Sequence, residues 1–282
     1  MILRAGKFSL ALDRPLIMGV VNVTPDSFSD GGDFFDAARA IAHARQLVAE
    51  GADILDIGGE SSRPGAAPLP AEEELRRVLP VLAACVPLGK PVSVDTYKPE
   101  VMRAAAAAGA AMLNDIWAFQ REDALRAALG EALGGVALCV MHMQRDPATM
   151  QDDPHYTDVV AEVKQFLAQR IAAFTQAGLP PDQIVIDPGF GFGKTVEHNL
   201  GLLRHLDQFT ALGAPVLAGL SRKSTIGRIT GREDPRERVH GSVAAALIAA
   251  QNGATILRVH DVAATRDALA VWQAVCTGAG AA

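Results

Sequence analysis

Eight short apolar runs recur along the chain, each followed by a longer stretch rich in alanine and leucine, and this alternation limits the fold more than any other feature. The runs cover residues 16–21, 54–58, 91–94, 111–113, 136–141, 184–186, 215–218 and 255–258. They are apolar without polar alternation, the pattern of a parallel strand buried on both faces. The stretches between them, 36–50, 71–84, 99–108, 121–133, 155–177, 197–206, 235–251 and 264–274, read as helices. Gly51, Gly109, Gly134, Gly178 and Gly253 follow several of these, where a left-handed residue ends a helix before the next strand. Eight β–α units without a central linker predict an α/β fold, a single-domain (β/α)₈ TIM barrel over residues 1–282. An open doubly wound sheet is the rival, and the even spacing to residue 274 favours the barrel. The runs 111–113 and 215–218 carry the weakest strand pattern, and both are short.

Composition supports one large core: 49% of residues are hydrophobic, 21% charged and only 5% aromatic. A formal charge of -6 supplies no basic field for gathering phosphates along a polymer, so a nucleic-acid binder is not expected. Cys85, Cys139 and Cys276 lie far apart without CxxC spacing, which argues against a disulfide scaffold or a cysteine zinc site. No membrane span or signal segment is legible, and the expectation is a cytoplasmic enzyme.

Each run leads into residues able to bind or react: Asn22; Glu60 to Arg63; Asp95; Asn114 and Asp115; His142; Asp187; Ser221 to Lys223; His260 and Asp261. Any one of these could be an ordinary helix cap. In a barrel all eight ends meet at one rim, which capping does not explain. Asp95, Asn114 and Asp187 suit a ligand edge of alternating N–H and carbonyl groups, and Lys223 could answer a ring nitrogen or carbonyl. Arg63, Arg222, Arg258 and His260 suit a phosphate or pyrophosphate. The implied substrate has a polar heterocycle at one end and a phosphate group at the other.

Two polar loops, 23–32 and 61–66, follow the first two runs and combine proline with glycine, as lids that exclude water do. Phe28 sits among polar neighbours in the first. The run DPGFGFGK (187–194) lacks GxxxxGK[ST] spacing; its glycines let backbone pass close to a flat ligand, with Phe190 available to stack on it. HExxH, EF-hand and GxSxG patterns are missing, and Ser221 and Ser224 have no base with triad character.

These segments resemble the dihydropteroate synthase family. The matching stretches are MGVVNVTPDSFSDGG (18–32), DIGGESSRPGA (56–66), VSVDT (92–96), NDI (114–116), MHMQ (141–144), DPGFGFGKT (187–195), LAGLSRKSTIG (217–227) and GATILRVHDV (253–262). They run in the family's order across nearly the whole chain. The resemblance implies condensation of 6-hydroxymethyl-7,8-dihydropterin pyrophosphate with p-aminobenzoate. It implies that Asp95, Asn114, Asp187 and Lys223 hold the pterin, with Met141, Phe190 and Gly219 in the same substrate set. Asn22, Arg63, Arg258 and His260 would serve the pyrophosphate, with Mg²⁺ near Asn22. Ser62, Pro64, Phe190, Lys223 and Ser224 would lie near the aminobenzoate. A homodimer is also implied.

Two positions depart from the family pattern. Ser62 stands where threonine is common, which loosens the wall facing the aminobenzoate or a sulfonamide. Arg145 stands where glycine is common, adding bulk after the fifth run. A corrinoid methyltransferase would need the pterin floor but not the pyrophosphate cluster. A non-enzymatic relative would be expected to lose Asn22, Asp26, Arg63, Lys223, Arg258 or His260, and all are present.

Overall fold

The computed structural model describes residues 1–23, 33–61 and 68–278, without the side chains of residues 33–36 and 133. The chain opens with an antiparallel hairpin, β1 (Ile2–Ala5) and β2 (Phe8–Ala11), which the apolar-run pattern did not reveal. Eight parallel strands follow: β3 (Leu16–Asn22), β4 (Ile54–Gly58), β5 (Val92–Asp95), β6 (Met112–Asp115), β7 (Ala137–Met141), β8 (Ile184–Asp187), β9 (Leu217–Ala218) and β10 (Ile256–Val259). Their order is β8-β7-β6-β5-β4-β3-β10-β9. A parallel bridge between Ile186 and Val216, with the Ile186 N–H donating to the Pro215 carbonyl at 2.9 Å, brings the two ends of the sheet together. The sheet therefore curls into the expected (β/α)₈ barrel and not into an open doubly wound sheet.

The surrounding helices are α1 (Asp33–Glu50), α2 (Ala71–Cys85), α3 (Pro99–Ala107), α4 (Glu122–Leu133), α5 (Val159–Gln176), α6 (Val196–Arg204), α7 (Asp207–Thr210), α8 (Ser224–Thr230), α9 (Val239–Gln251) and α10 (Val262–Thr277). The short α8 begins directly after Lys223 and was not anticipated. At the end of α4 the left-handed residue is Gly135 (φ +106°), while Gly134 remains right-handed at φ -76°. That moves the expected stop by one position.

Strand pleating sorts the core into two shells. Ile17, Val21, Leu55, Ile57, Val94, Leu113, Leu138 and Ile186 face outward and pack with small helix residues such as Ala40, Ala44, Ala105, Ala128 and Ala249. Small side chains let helices sit close to a sheet, which accounts for the alanine content. Met18, Ile54, Met112, Ala137, Cys139, Val185, Leu217 and Ile256 form a second cluster inside the barrel. Leu3 and Ala5 of the hairpin join it, both fully buried, and plug the N-terminal end. Extending the inner set by the two-residue period reaches Asn22, Gly58, Asp95, Asn114, Met141, Asp187, Gly219, Arg258 and His260 at the opposite end.

Candidate active site

Several groups expected just after a strand are its last residues. Asp95 pairs in register with Asn114 across β5 and β6, and Met141 pairs with Asp187 across β7 and β8. The backbone ladder outlasts the apolar run, so these side chains are held by sheet geometry and not by loops.

The floor carries more negative charge than the sequence reading identified. Asp56, in the middle of β4, is fully buried, and its Oδ2 accepts from the Arg258 Nε at 2.6 Å. Arg258 also donates from Nη2 to Asp95 Oδ2 at 3.1 Å. Burial opposes the guanidinium charge, but the two carboxylates hold it firmly protonated. Asp56 was missed; the available signal was a carboxylate interrupting an otherwise apolar strand. Burial raises the Asp95 carboxyl to about 7, against the attraction of Arg258. Burial also raises Asp187, opposed first by Lys223. The Asp187 Oδ1 accepts from the Gly189 N–H at 2.7 Å. Asn114 is buried, and its Oδ1 has no hydrogen-bond partner, as is also true of Asp56 Oδ1 and Ser93 Oγ. A buried acceptor without a partner is costly unless a ligand donates to it.

The wall above this floor is mostly apolar. Ile116, Met141, Met143 and Met150 cluster with Tyr97, Trp117 and Phe192. Met141 therefore stands where a flat ring could pack. Phe190 does not present its ring as expected: its side chain is buried in the outer core, and its carbonyl accepts from the Lys223 ammonium. Phe192 is the aromatic beside that ammonium, 4.5 Å from Lys223 Nζ to ring centroid. Burial lowers Lys223 to about 8, with Asp187 opposing the shift. A Cβ on Gly219 would lie 4.0 Å from Lys223 Nζ and 3.8 Å from Arg258 Cβ, so this glycine keeps the floor low between two cations.

Around the rest of the rim, His260 Nδ1 meets Ser221 Oγ at 3.1 Å, and burial lowers the imidazole to about 3. A neutral His260 is thus the ligand-free state. Arg222, expected in the phosphate field, instead grips Asp261 through Nε and Nη2 at 3.0 and 2.5 Å. Ser224 is exposed at the start of α8. Asn22 is half-buried at the end of β3, with its amide oxygen directed toward Gly58. Glu60 is tied to Tyr97 and, with Glu74, to the Lys98 ammonium, so it serves the scaffold. Ser62, Arg63, Pro64, Asp26 and Phe28 lie outside the described residues, and with them both expected lids. Arg145 adopts φ +61°, a conformation that favours glycine, and its guanidinium reaches the Asp152 carbonyl.

A family model described as "Pterin binding enzyme" matches residues 18–260. A dihydropteroate synthase of Neisseria meningitidis serogroup B is 52% identical over 277 residues, covering 96% of each chain. The Xanthomonas albilineans dihydropteroate synthase solved with 4-aminobenzoic acid is 57% identical, covers 98% of both chains and superposes with a TM-score of 0.91. The Thermus thermophilus enzyme in complex with 6HMPPP is 50% identical, with a TM-score of 0.84 over 98% of this chain and 100% of that one. With its strand-end floor and full-length similarity, the chain belongs to the pterin-binding enzyme family, among the dihydropteroate synthases.

Proposed function

We infer that the chain catalyses the condensation of 6-hydroxymethyl-7,8-dihydropterin pyrophosphate with p-aminobenzoate, giving 7,8-dihydropteroate and pyrophosphate. The observation that carries this reading is the floor of Asp95, Asn114 and Asp187 beside Lys223 and Arg258, in a chain that matches synthases over nearly its whole length. The carboxylates and the unpartnered Asn114 oxygen accept from the amino-pyrimidine edge, and Lys223 donates to a ring nitrogen or carbonyl. Met141 packs on the ring face, and Gly219 leaves room for it.

Pyrophosphate departs with the bonding electrons of the methylene C–O bond. Arg63, Arg258 and His260 receive its charge; two donors of Arg258 already hold Asp56 and Asp95, and its remaining N–H groups serve the anion. The methylene cation that remains is delocalised into the pterin and favoured by the field of Asp95 and Asp187. The neutral aromatic amine, held by Ser62, Pro64 and Ser224, then forms the C–N bond and releases a proton. No strong general base is required, because the attacking nitrogen is uncharged. Water must be kept out, which is the work of loops 23–32 and 61–66.

The half-buried Asn22 oxygen is a hard donor of the type Mg²⁺ accepts, and Mg²⁺ needs few protein ligands when phosphates supply the rest. Asn22 would hold the ion there, and Mg²⁺ would supply charge neutralisation to the leaving pyrophosphate. The decisive experiment is product formation from the two substrates with and without Mg²⁺. Dihydropteroate and pyrophosphate in equal amounts, dependent on Mg²⁺, are expected; tight pterin binding without product refutes the reaction.

A homodimer is part of the same proposal. The helix α9 is rich in alanine and other apolar residues, and Ile248 on α9 and Ile229 on α8 are 43% and 55% exposed. Sedimentation should give a dimer that Ile248→Glu weakens. The cytoplasm is the proposed location, in keeping with an exposed free thiol at Cys276. Among the described residues, no helix is long and apolar enough to cross a membrane.

A further inference from the structure

Lys194 closes the DPGFGFGK run by folding back beneath it. The residue is 3% exposed. The ammonium donates to the carbonyls of Gly189 and Phe192, both at 2.9 Å, and lies 3.3 Å from the carbonyl of His142. It also meets His142 Nδ1 at 3.0 Å. Burial lowers Lys194 to about 7, with Asp187 opposing the shift; in its protonated form it only donates, so Nδ1 accepts and the imidazole is neutral. Burial and the nearby Lys194 charge keep His142 neutral, lowering it to about 3. The ring is held from behind by Phe166 in an edge contact at 5.0 Å.

These partners belong to two different segments. His142 follows β7 directly after Met141, while Gly189 and Phe192 follow β8 directly after Asp187. The segments nearly touch. Gly189 has φ +72°, and a Cβ there would lie 1.8 Å from the His142 carbonyl oxygen. The His142 N–H donates to the Asp187 carbonyl at 3.0 Å. Between Gly189 and Phe192 lies Phe190, whose carbonyl receives Lys223. A single buried lysine side chain therefore joins the backbone segments that carry Met141, Asp187 and the anchor of Lys223.

Building on the pterin reading of this rim, we propose that Lys194, with neutral His142 as its acceptor, is a positioning residue for the pterin subsite. It sets the height of the Asp187 carboxylate and of the Phe190 carbonyl, and it acts on pterin through them. Of the residues expected on the amine side, Ser224 lies on α8, which no hydrogen bond of Lys194 reaches, while Phe190 lies within the segment it ties. Removal of Lys194 should therefore affect the two substrates unequally.

The test compares the parent protein with Lys194→Met, which keeps the stem and removes the donors, and Lys194→Gln, which restores an amide donor. Calorimetric titration with 6-hydroxymethylpterin reads the subsite directly, and steady-state kinetics reads KM for each substrate. For Lys194→Met, pterin affinity should fall roughly tenfold or more, the loss that disrupted hydrogen-bond partners in a buried subsite bring. KM for p-aminobenzoate at saturating pterin pyrophosphate should stay within about twofold, and Lys194→Gln should recover part of the loss. A folded Lys194→Met protein with parental pterin affinity overturns the proposal, as do equal losses for both substrates. If Lys194→Met does not fold, His142→Leu carries the test: it removes the ring acceptor without supplying another and keeps the backbone, and unchanged pterin affinity there overturns the proposal too. Parental synthesis of dihydropteroate tests the reaction separately, so failure of the Lys194 inference leaves that result standing.

Discussion

Replacing Gly189 by alanine puts the pterin floor to a quantitative test. The new methyl would begin 1.8 Å from the His142 carbonyl oxygen, whereas real contacts of this kind are not found below 3.0 Å. One of the two backbone segments must retreat by roughly 1 Å, and misplacement on that scale lowers rate by about a hundredfold. This corresponds to about 2.7 kcal/mol of transition-state stabilisation. The left-handed conformation adds about 1–2 kcal/mol of strain for a side chain with a Cβ. Gly89 separates the two contributions. It has nearly the same φ, +75°, but nothing within 4 Å of its built Cβ, and it lies between α2 and β5 away from the rim. Gly89→Ala should lose stability in urea titration by about 1 kcal/mol and keep parental kinetics. Gly189→Ala should lose stability and also about two decades of kcat/KM for the pterin substrate. A folded Gly189→Ala protein within threefold of parental kcat/KM would refute the contact argument, since strain alone cannot then distinguish the two positions.

The remaining expectations address other parts of the chain. Leu3→Ala should destabilise the protein by about 2–5 kcal/mol in denaturant titration, because Leu3 is fully buried where the hairpin plugs the barrel, while KM for both substrates stays parental. Arg63→Ala should slow the single-turnover chemical step, whereas Asp187→Ala should abolish pterin binding in calorimetry; parental pterin affinity in the latter removes Asp187 from its role. Burial, aided by Lys194, lowers His142 from the ordinary 6.5 to about 3 in the folded protein, so the unfolded chain binds the additional proton between these values. Its contribution is fully present above pH 6.5 and is lost as pH falls toward 3. His142→Gln should therefore reduce the acid-side slope of unfolding free energy by up to about 1.4 kcal/mol per pH unit, and an unchanged slope excludes His142 as the source.

The barrel was legible because a parallel strand buried on both faces must be apolar throughout, and eight such runs stood clear of their helices. Asp95, Asn114, Asp187, Lys223, Arg258 and His260 were legible because polar groups at the ends of those runs have one place to meet. The hairpin escaped notice since β2 is only half-buried and β1 is four residues long, too little for a periodic signal. The roles within the DPGFGFGK run escaped for a different reason. The residue pattern marked its glycines and Phe190 as ligand-facing, yet Phe190 turns its ring into the outer core and offers only a carbonyl.

What the order of amino acids determined by itself is which side chains arrive at the rim, because the two-residue pleat and the strand starts leave no other inward set. What tertiary structure alone decided is which of them are already engaged: Arg258 with Asp56 and Asp95, Arg222 with Asp261, and Lys194 with four groups from two segments. Such pairings join residues as far as 202 positions apart. They depend on barrel closure and on a few tenths of an ångström between neighbouring strands, and a linear pattern of residue types carries neither.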